Sequence, residues 1–126
     1  AEKFAKENWK VAISARREKL LNEIAKNKDI SSFPLDVTNE NLAKTTFVNI
    51  LNEFKGLDLC IFCSGAYDPK LEKEINKEQI KKIMDINFFG VLNCIKIVEE
   101  YFKNKKEGHI SVVSSVAAYR GLPNSS

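Results

Sequence analysis

Apolar residues along the chain fall into two alternating patterns. Short apolar runs read as strands: Lys10–Ser14 (KVAIS), Ile30–Leu35, Leu57–Phe62 (LDLCIF) and His109–Ser114 (HISVVS). Pro34 weakens the end of the second run. Between these runs the apolar residues recur at helical spacing. Ala1 to about Asn8 reads as the end of a helix with Phe4 inward, and Arg17 to about Lys26 carries Leu20, Leu21 and Ile24. A helix from Thr38 to about Phe54 carries Leu42, Phe47, Ile50, Leu51 and Phe54. The longest, Asn76 to about Asn104, carries Ile80, Ile83, Met84, Val91, Cys94, Ile95 and Val98. Thr38 is placed to cap the third helix and Gly56 to stop it, while Asn76 with Gln79 forms a capping box for the last.

Strands alternating with helices of this length imply βαβ units and an α/β fold built on a doubly wound parallel sheet. At 126 residues the chain reads as one domain, residues 1–126. Such folds bind ligands beyond the carboxyl ends of their strands. Four segments are delivered there: Ala15-Arg16-Arg17, Asp36-Val37-Thr38, Cys63-Ser64-Gly65-Ala66 and Ser114-Ser115. All are polar or small, as a nucleotide-sized site along one edge requires.

Composition narrows the class. Hydrophobic residues make up 44% and charged residues 29%, the balance of a soluble globular protein. No stretch approaches the ~20 apolar residues of a membrane span, and no secretory leader is visible. The net charge of +3 is small, and the lysines are interspersed with glutamates, as in KLEKEINKEQIKK. That is a solvated surface and not a nucleic-acid footprint. Three cysteines without secretion signals point to reduced thiols and a cytoplasmic location. Cys60 and Cys63 form a CxxC, but within a strand residues three apart point to opposite faces and cannot share an ion. No metal site is expected.

Candidate chemistry falls at three places along the chain. Arg16 and Arg17 follow the first strand, where an acid would take the ribose hydroxyls of NAD and an arginine would accommodate the 2′-phosphate of NADP. Guanidinium pairs with phosphate through two charge-assisted bonds. Hydrogen bonds to charged groups contribute about 1.5–3 kcal/mol, roughly a ten- to hundredfold preference for NADP. The alternative, two solvated residues in the first turn of a helix, places positive charge where the helix dipole disfavours it. Asn87 falls inside the apolar stripe between Met84 and Val91. A buried amide must be satisfied, and its spacing leaves open a catalytic role or a structural one that ties the helix to a loop. Ser114 and Ser115 end the last strand, where serines usually cap turns. The sole histidine, His109, lies at the strand's other end, roughly 15–20 Å away, so a Ser–His hydrolase is disfavoured.

Taken in order, SARREKL, LDVTNE, DINFFGV and HISVVSSVAAYRGLP resemble segments of the short-chain dehydrogenase/reductase family, over essentially the whole chain. The resemblance implies a Rossmann-type fold and hydride transfer between NADP(H) and a small carbonyl or alcohol substrate. Arg16 and Arg17 would meet the 2′-phosphate, Asp36 and Val37 the adenine, and Ser64 and Gly65 the cofactor backbone. Ser115 would be the catalytic serine and Asn87 the asparagine that holds a water in the proton relay. Family members usually pair through the long helix, which implies a homodimer or homotetramer through residues 76–104. The family's Asn-Asn-Ala-Gly segment appears here as Phe62-Cys63-Ser64-Gly65, a departure that implies rearranged local hydrogen bonding.

The glycine-rich turn and first strand are expected to precede Ala1, and the Tyr-x-x-x-Lys motif to follow Ser126. In the strand order 3-2-1-4-5-6 the first strand lies mid-sheet, so these strands are not expected to form one continuous sheet. An intact mass above 14.3 kDa is expected. The substrate pocket would draw on the loop from Tyr67 to Glu74 and on segments beyond Ser126. A non-catalytic dinucleotide-binding or partner-binding module is the alternative, and a receiver-like α/β domain explains Asn87 and Ser115 less well.

Overall fold

A computed structural model of the chain describes residues 1–26, 29–67 and 76–120. They fall into two units, Ala1–Leu57 and Asp58–Ser126.

The first unit comprises α1 (Glu2–Lys6), β1 (Val11–Ile13), α2 (Glu18–Ile24), β2 (Ile30–Ser32) and α3 (Glu40–Phe54). β1 and β2 are parallel, with Val11 opposite Ile30 and Ile13 opposite Ser32. Their pairing outlasts the strands proper. Phe33 N–H donates to the Ile13 carbonyl (2.9 Å) and Leu35 N–H to the Ala15 carbonyl (3.1 Å). Pro34 sits between these donors, at a position whose missing N–H the ladder does not use. The core holds Ala5, Leu21, Ile30 and Ala43, with Thr46 buried among them. Phe4 meets Trp9 edge to face, with ring centroids 5.6 Å apart.

Three details differ from the sequence pattern. Of the α2 stripe only Leu21 is buried; Leu20 and Ile24 are exposed. Asn39, not Thr38, caps α3, its Oδ1 accepting from Leu42 N–H at 2.9 Å. Thr38 instead turns back to Asp36, donating both its hydroxyl and its N–H to Oδ1. The helix ends at Phe54, as expected, but Lys55 and not Gly56 is its cap. Lys55 takes the left-handed conformation (φ 62°) and donates its N–H to the Leu51 carbonyl, at a steric cost of about 1–2 kcal/mol that sequence alone would assign to glycine.

The second unit comprises β3 (Leu59–Phe62), α4 (Lys77–Met84), α5 (Val91–Lys105) and β4 (His109–Val112). β3 and β4 are parallel, Leu59 opposite His109 and Phe62 opposite Val112. Asn76 caps α4 as expected, its Oδ1 accepting from Gln79 N–H at 3.0 Å. Helix runs without a break from Lys77 to Lys105, but Asp85–Gly90 is wound as a π-helix between α4 and α5. That wider turn changes which face is inside. Ile86, Val91, Cys94, Val98 and Phe102 are buried, whereas Ile80, Met84, Phe88, Phe89 and Leu92 are exposed. α5 then packs on β4.

The turn into β4 depends on Gly108, whose φ is +144°. A Cβ there would lie 2.2 Å from the Phe102 ring. Lys105 pairs with Asp58 at 2.6 Å, joining the end of α5 to the residue before β3.

Among the described residues the strands thus form two separate parallel pairs. Each pair is parallel, as neighbouring strands of a doubly wound sheet are. No helix among the described residues is long and apolar enough to cross a membrane.

Candidate functional site

Parallel pairing brings the carboxyl end of β1 beside that of β2, and the loops leaving them run side by side as far as Ala15 and Leu35. The next residues are Arg16 and Asp36. Arg16 is exposed. Arg17, also exposed, occupies the cap position of α2 without a side-chain capping bond, and Glu18 supplies an acid in the first turn. Neither guanidinium makes an ion pair with a described residue. Asp36 is tied by Thr38, whose N–H (3.0 Å) and hydroxyl (2.7 Å) both donate to Oδ1. These bonds, the hydroxyl foremost, hold its carboxyl below the usual carboxylate range; burial opposes them and the positive charge of Arg16 adds a smaller push the same way. Val37 is half-buried beside it.

In the second unit, Val113 N–H donates to the Phe62 carbonyl (2.9 Å), so the segments after β3 and β4 also leave side by side. Ser64 and Gly65 are exposed. Gly65 needs neither a left-handed φ nor room within its own chain, since a Cβ added there would meet nothing within 4 Å. Its lack of a side chain therefore leaves open space against the backbone at the strand's carboxyl end.

Asn87 lies in the π-helical turn and is exposed, contrary to its place in the expected apolar stripe. The extra residue of the wider turn rotates it out of phase. Both ends of its amide are engaged: Oδ1 accepts from Ala66 N–H (2.6 Å) and Nδ2 donates to the Ala66 carbonyl (2.9 Å). The side chain pairs with Ala66 as a neighbouring strand would, bracing the loop after Gly65. These bonds tie the helix to a loop, one of the two roles that spacing left open. Ala66 itself was not legible as the partner, because any backbone amide within reach would satisfy an asparagine.

Ser115 begins a short 3₁₀ turn (Val116–Ala118), its Oγ accepting from Ala117 N–H at 3.2 Å. That bond uses a lone pair and leaves the hydroxyl proton free to donate. Of the loop from Tyr67 to Glu74 only Tyr67 is among the described residues, and the Gly121-Leu122-Pro123 end of the last family-like segment also lies outside them.

All three cysteines are free thiols. Cys60 is half-buried and Cys63 exposed. Desolvation, with Cys94 nearby, pushes the Cys60 thiol up to about 11, and burial raises that of Cys94 as well. Among the described residues no group of three or more His, Cys, Asp or Glu is arranged to hold a metal ion.

Comparison with known proteins agrees with this layout. The family model described as short chain dehydrogenase matches residues 1–126, and the chain belongs to the short-chain dehydrogenase/reductase family. It is 29% identical over 111 residues to dehydrogenase/reductase SDR family member 7 of Mus musculus, covering 88% of this chain and 33% of that protein. It is 29% identical over 89 residues to 3-ketodihydrosphingosine reductase of Bacteroides thetaiotaomicron, covering 71% of this chain and 33% of that protein. The solved structure of ElxO with NADP bound superposes with a TM-score of 0.88 at 25% identity, over 98% of this chain and 52% of that one. Escherichia coli serine dehydrogenase, at 20% identity and a TM-score of 0.84, shares the fold. The chain therefore has the Rossmann-type fold of the family, and it spans between a third and about half of the length of these relatives.

Proposed function

We propose that the whole protein is an NADP(H)-dependent oxidoreductase acting on a small carbonyl or alcohol substrate, and that residues 1–126 belong to its single nucleotide-binding domain. One observation carries the cofactor choice: two exposed guanidinium groups, with no ion pair to a described residue, follow β1 where an acid would select NAD. The relative solved with NADP bound supports the same choice.

The residues present fit this cofactor. Arg16 and Arg17 would hold the 2′-phosphate through charge-assisted bonds. Asp36 and Val37 would border the adenine. The open space at Gly65 lets backbone approach the cofactor, and Ser64 lies beside it. Bound NADP(H) supplies or accepts the hydride. Asn87 holds the Ser64–Ala66 loop in place through its two bonds to Ala66. Ser115, with its oxygen anchored by Ala117 N–H, donates its proton in a hydrogen bond to the substrate oxygen. A tyrosine–lysine pair, implied by the family resemblance, would act as general acid/base in the whole protein.

The exposed apolar residues Ile80, Met84, Phe88, Phe89 and Leu92 support pairing of copies through helix 76–104 as a homodimer or homotetramer. The three free thiols support a cytoplasmic location.

The test is cofactor titration of the whole protein. Arg16→Ala should weaken NADPH binding about ten- to hundredfold while changing NADH little; equal losses for both cofactors overturn the assignment. Ser115→Ala should remove carbonyl reduction with cofactor affinity nearly unchanged, and a collapse of cofactor binding would make the serine structural.

A further inference from the structure

Resting on the cofactor reading above, we infer that the π-helical turn Asp85–Gly90 couples two events, the pairing of two copies of this chain and the occupation of the cofactor site. The turn makes a different contact on each of its sides. Ile86 and Gly90 are buried in the core, Asn87 grips Ala66, and Phe88 is 52% exposed. These residues lie within one turn, so it cannot rewind without moving all of them. A π-turn replaces the regular i→i−4 bonds by wider ones and is rare. Contacts on its flanks therefore decide whether it stays wound.

The exposed side of the helix is a line of apolar residues four apart: Ile80, Met84, Phe88 and Leu92. The buried row of Ile86, Gly90, Cys94, Val98 and Phe102 has the same spacing and is offset by two residues, which puts it on the opposite side. In an α-helix four residues turn by about 400°, so such a line drifts by about 40° at each step. The wider turn rotates less per residue and brings Phe88 and Leu92 back into line with Ile80. A straight ridge of this order is its own complement. A two-fold axis through its midpoint sets Ile80 of one copy against Leu92 of the other, and Met84 against Phe88, a sulfur on a ring. A second copy meets that order by symmetry, with the four-residue ridges of both helices interlocked.

The two contacts support each other through the turn. Asn87 reaches Ala66, and Phe88 joins the ridge, only while the turn is wound. Pairing on the ridge therefore favours the clamped loop beside Gly65, where the cofactor lies, and a cofactor held by that loop favours the ridge. Linkage makes the two effects equal in size.

The experiment follows amide hydrogen exchange at Ala66 and sedimentation of the whole protein, with and without NADPH. Without cofactor, Ala66 exchange should slow about fivefold or more as concentration rises through the range in which copies pair. Saturating NADPH should tighten pairing by about fivefold or more, the lower end of ordinary coupling between sites. Met84→Lys puts a charge on the ridge and leaves the clamp intact, so it should give a monomer whose Ala66 exchange ignores concentration; Leu92→Lys should do the same from the other end. Wild-type protein that pairs with no change at Ala66, or that stays monomeric, overturns the inference, as does a Met84→Lys or Leu92→Lys protein that still pairs. Each of these outcomes leaves the cofactor reading standing when NADPH binds. Wild-type protein that does not bind NADPH overturns both.

Discussion

Replacing Asn87 by alanine removes both ends of the clamp on Ala66 while leaving the helix backbone with a residue that favours it. Two hydrogen bonds of ordinary net worth sum to about 1–3 kcal/mol. Asn87 is exposed, so water can recover part of that for the freed Ala66 groups. A local loss of about 1–2 kcal/mol is therefore the working figure. Amide hydrogen exchange reads it directly, since the Ala66 N–H is one of the clamped groups. Its exchange should quicken about 5- to 30-fold, each 1.4 kcal/mol being a factor of ten, while amides in α5 and β4 change little. Asn87→Asp is the sharper companion: it can still accept from Ala66 N–H but sets a carboxylate against the Ala66 carbonyl. It should perturb the loop at least as much as alanine. If Ala66 exchanges at the same rate in the wild-type protein and in both variants, Asn87 does not brace the loop, and its proposed part in shaping the cofactor site fails with it.

Gly108→Ala should lower the thermal midpoint clearly, because it combines a disfavoured φ with a Cβ 2.2 Å from Phe102; overpacking alone costs about 1–3 kcal/mol, and an unchanged melting curve would contradict that geometry. Gly65→Ala should behave oppositely, melting like wild type because the added methyl meets open space, yet binding NADPH more weakly; a loss of stability without a loss of affinity would count against a cofactor there. Among the thiols, exposed Cys63 should react first with a maleimide near pH 7, while Cys60, raised to about 11, should stay unmodified until the protein unfolds. Equal labelling of the two in native protein would refute the difference in their surroundings.

Much of this arrangement is legible in the residue pattern, because helix and strand periods are set by which side chains must be buried. The strands after Lys10, Asp29, Asp58 and Gly108 and the cap at Asn76 follow from that rule and from the shortage of alternatives. What escaped has a common cause: competition between neighbours of similar chemistry. Thr38 and Asn39 are both good caps, and Asn39 takes the role while Thr38 turns back to Asp36. Lys55 and Gly56 could each end α3, and the lysine takes the left-handed position although glycine would do so more cheaply. Asn87 was misplaced for another reason. Counting at 3.6 residues per turn assumes an unbroken α-helix, and the count slips one position within Asp85–Gly90.

That slip gives the long helix an internal phase setting. Each residue of an α-helix turns it by about 100°, so deleting one residue between Asp85 and Gly90 would rewind the segment and swing everything before it by roughly that angle. Val91, Cys94, Val98 and Phe102 would keep their seats, while the amide that grips Ala66 would be dialled away from it. Loss of a single codon there, for Phe88 or Phe89, can thus uncouple the half of the helix that builds the core from the half that holds the loop.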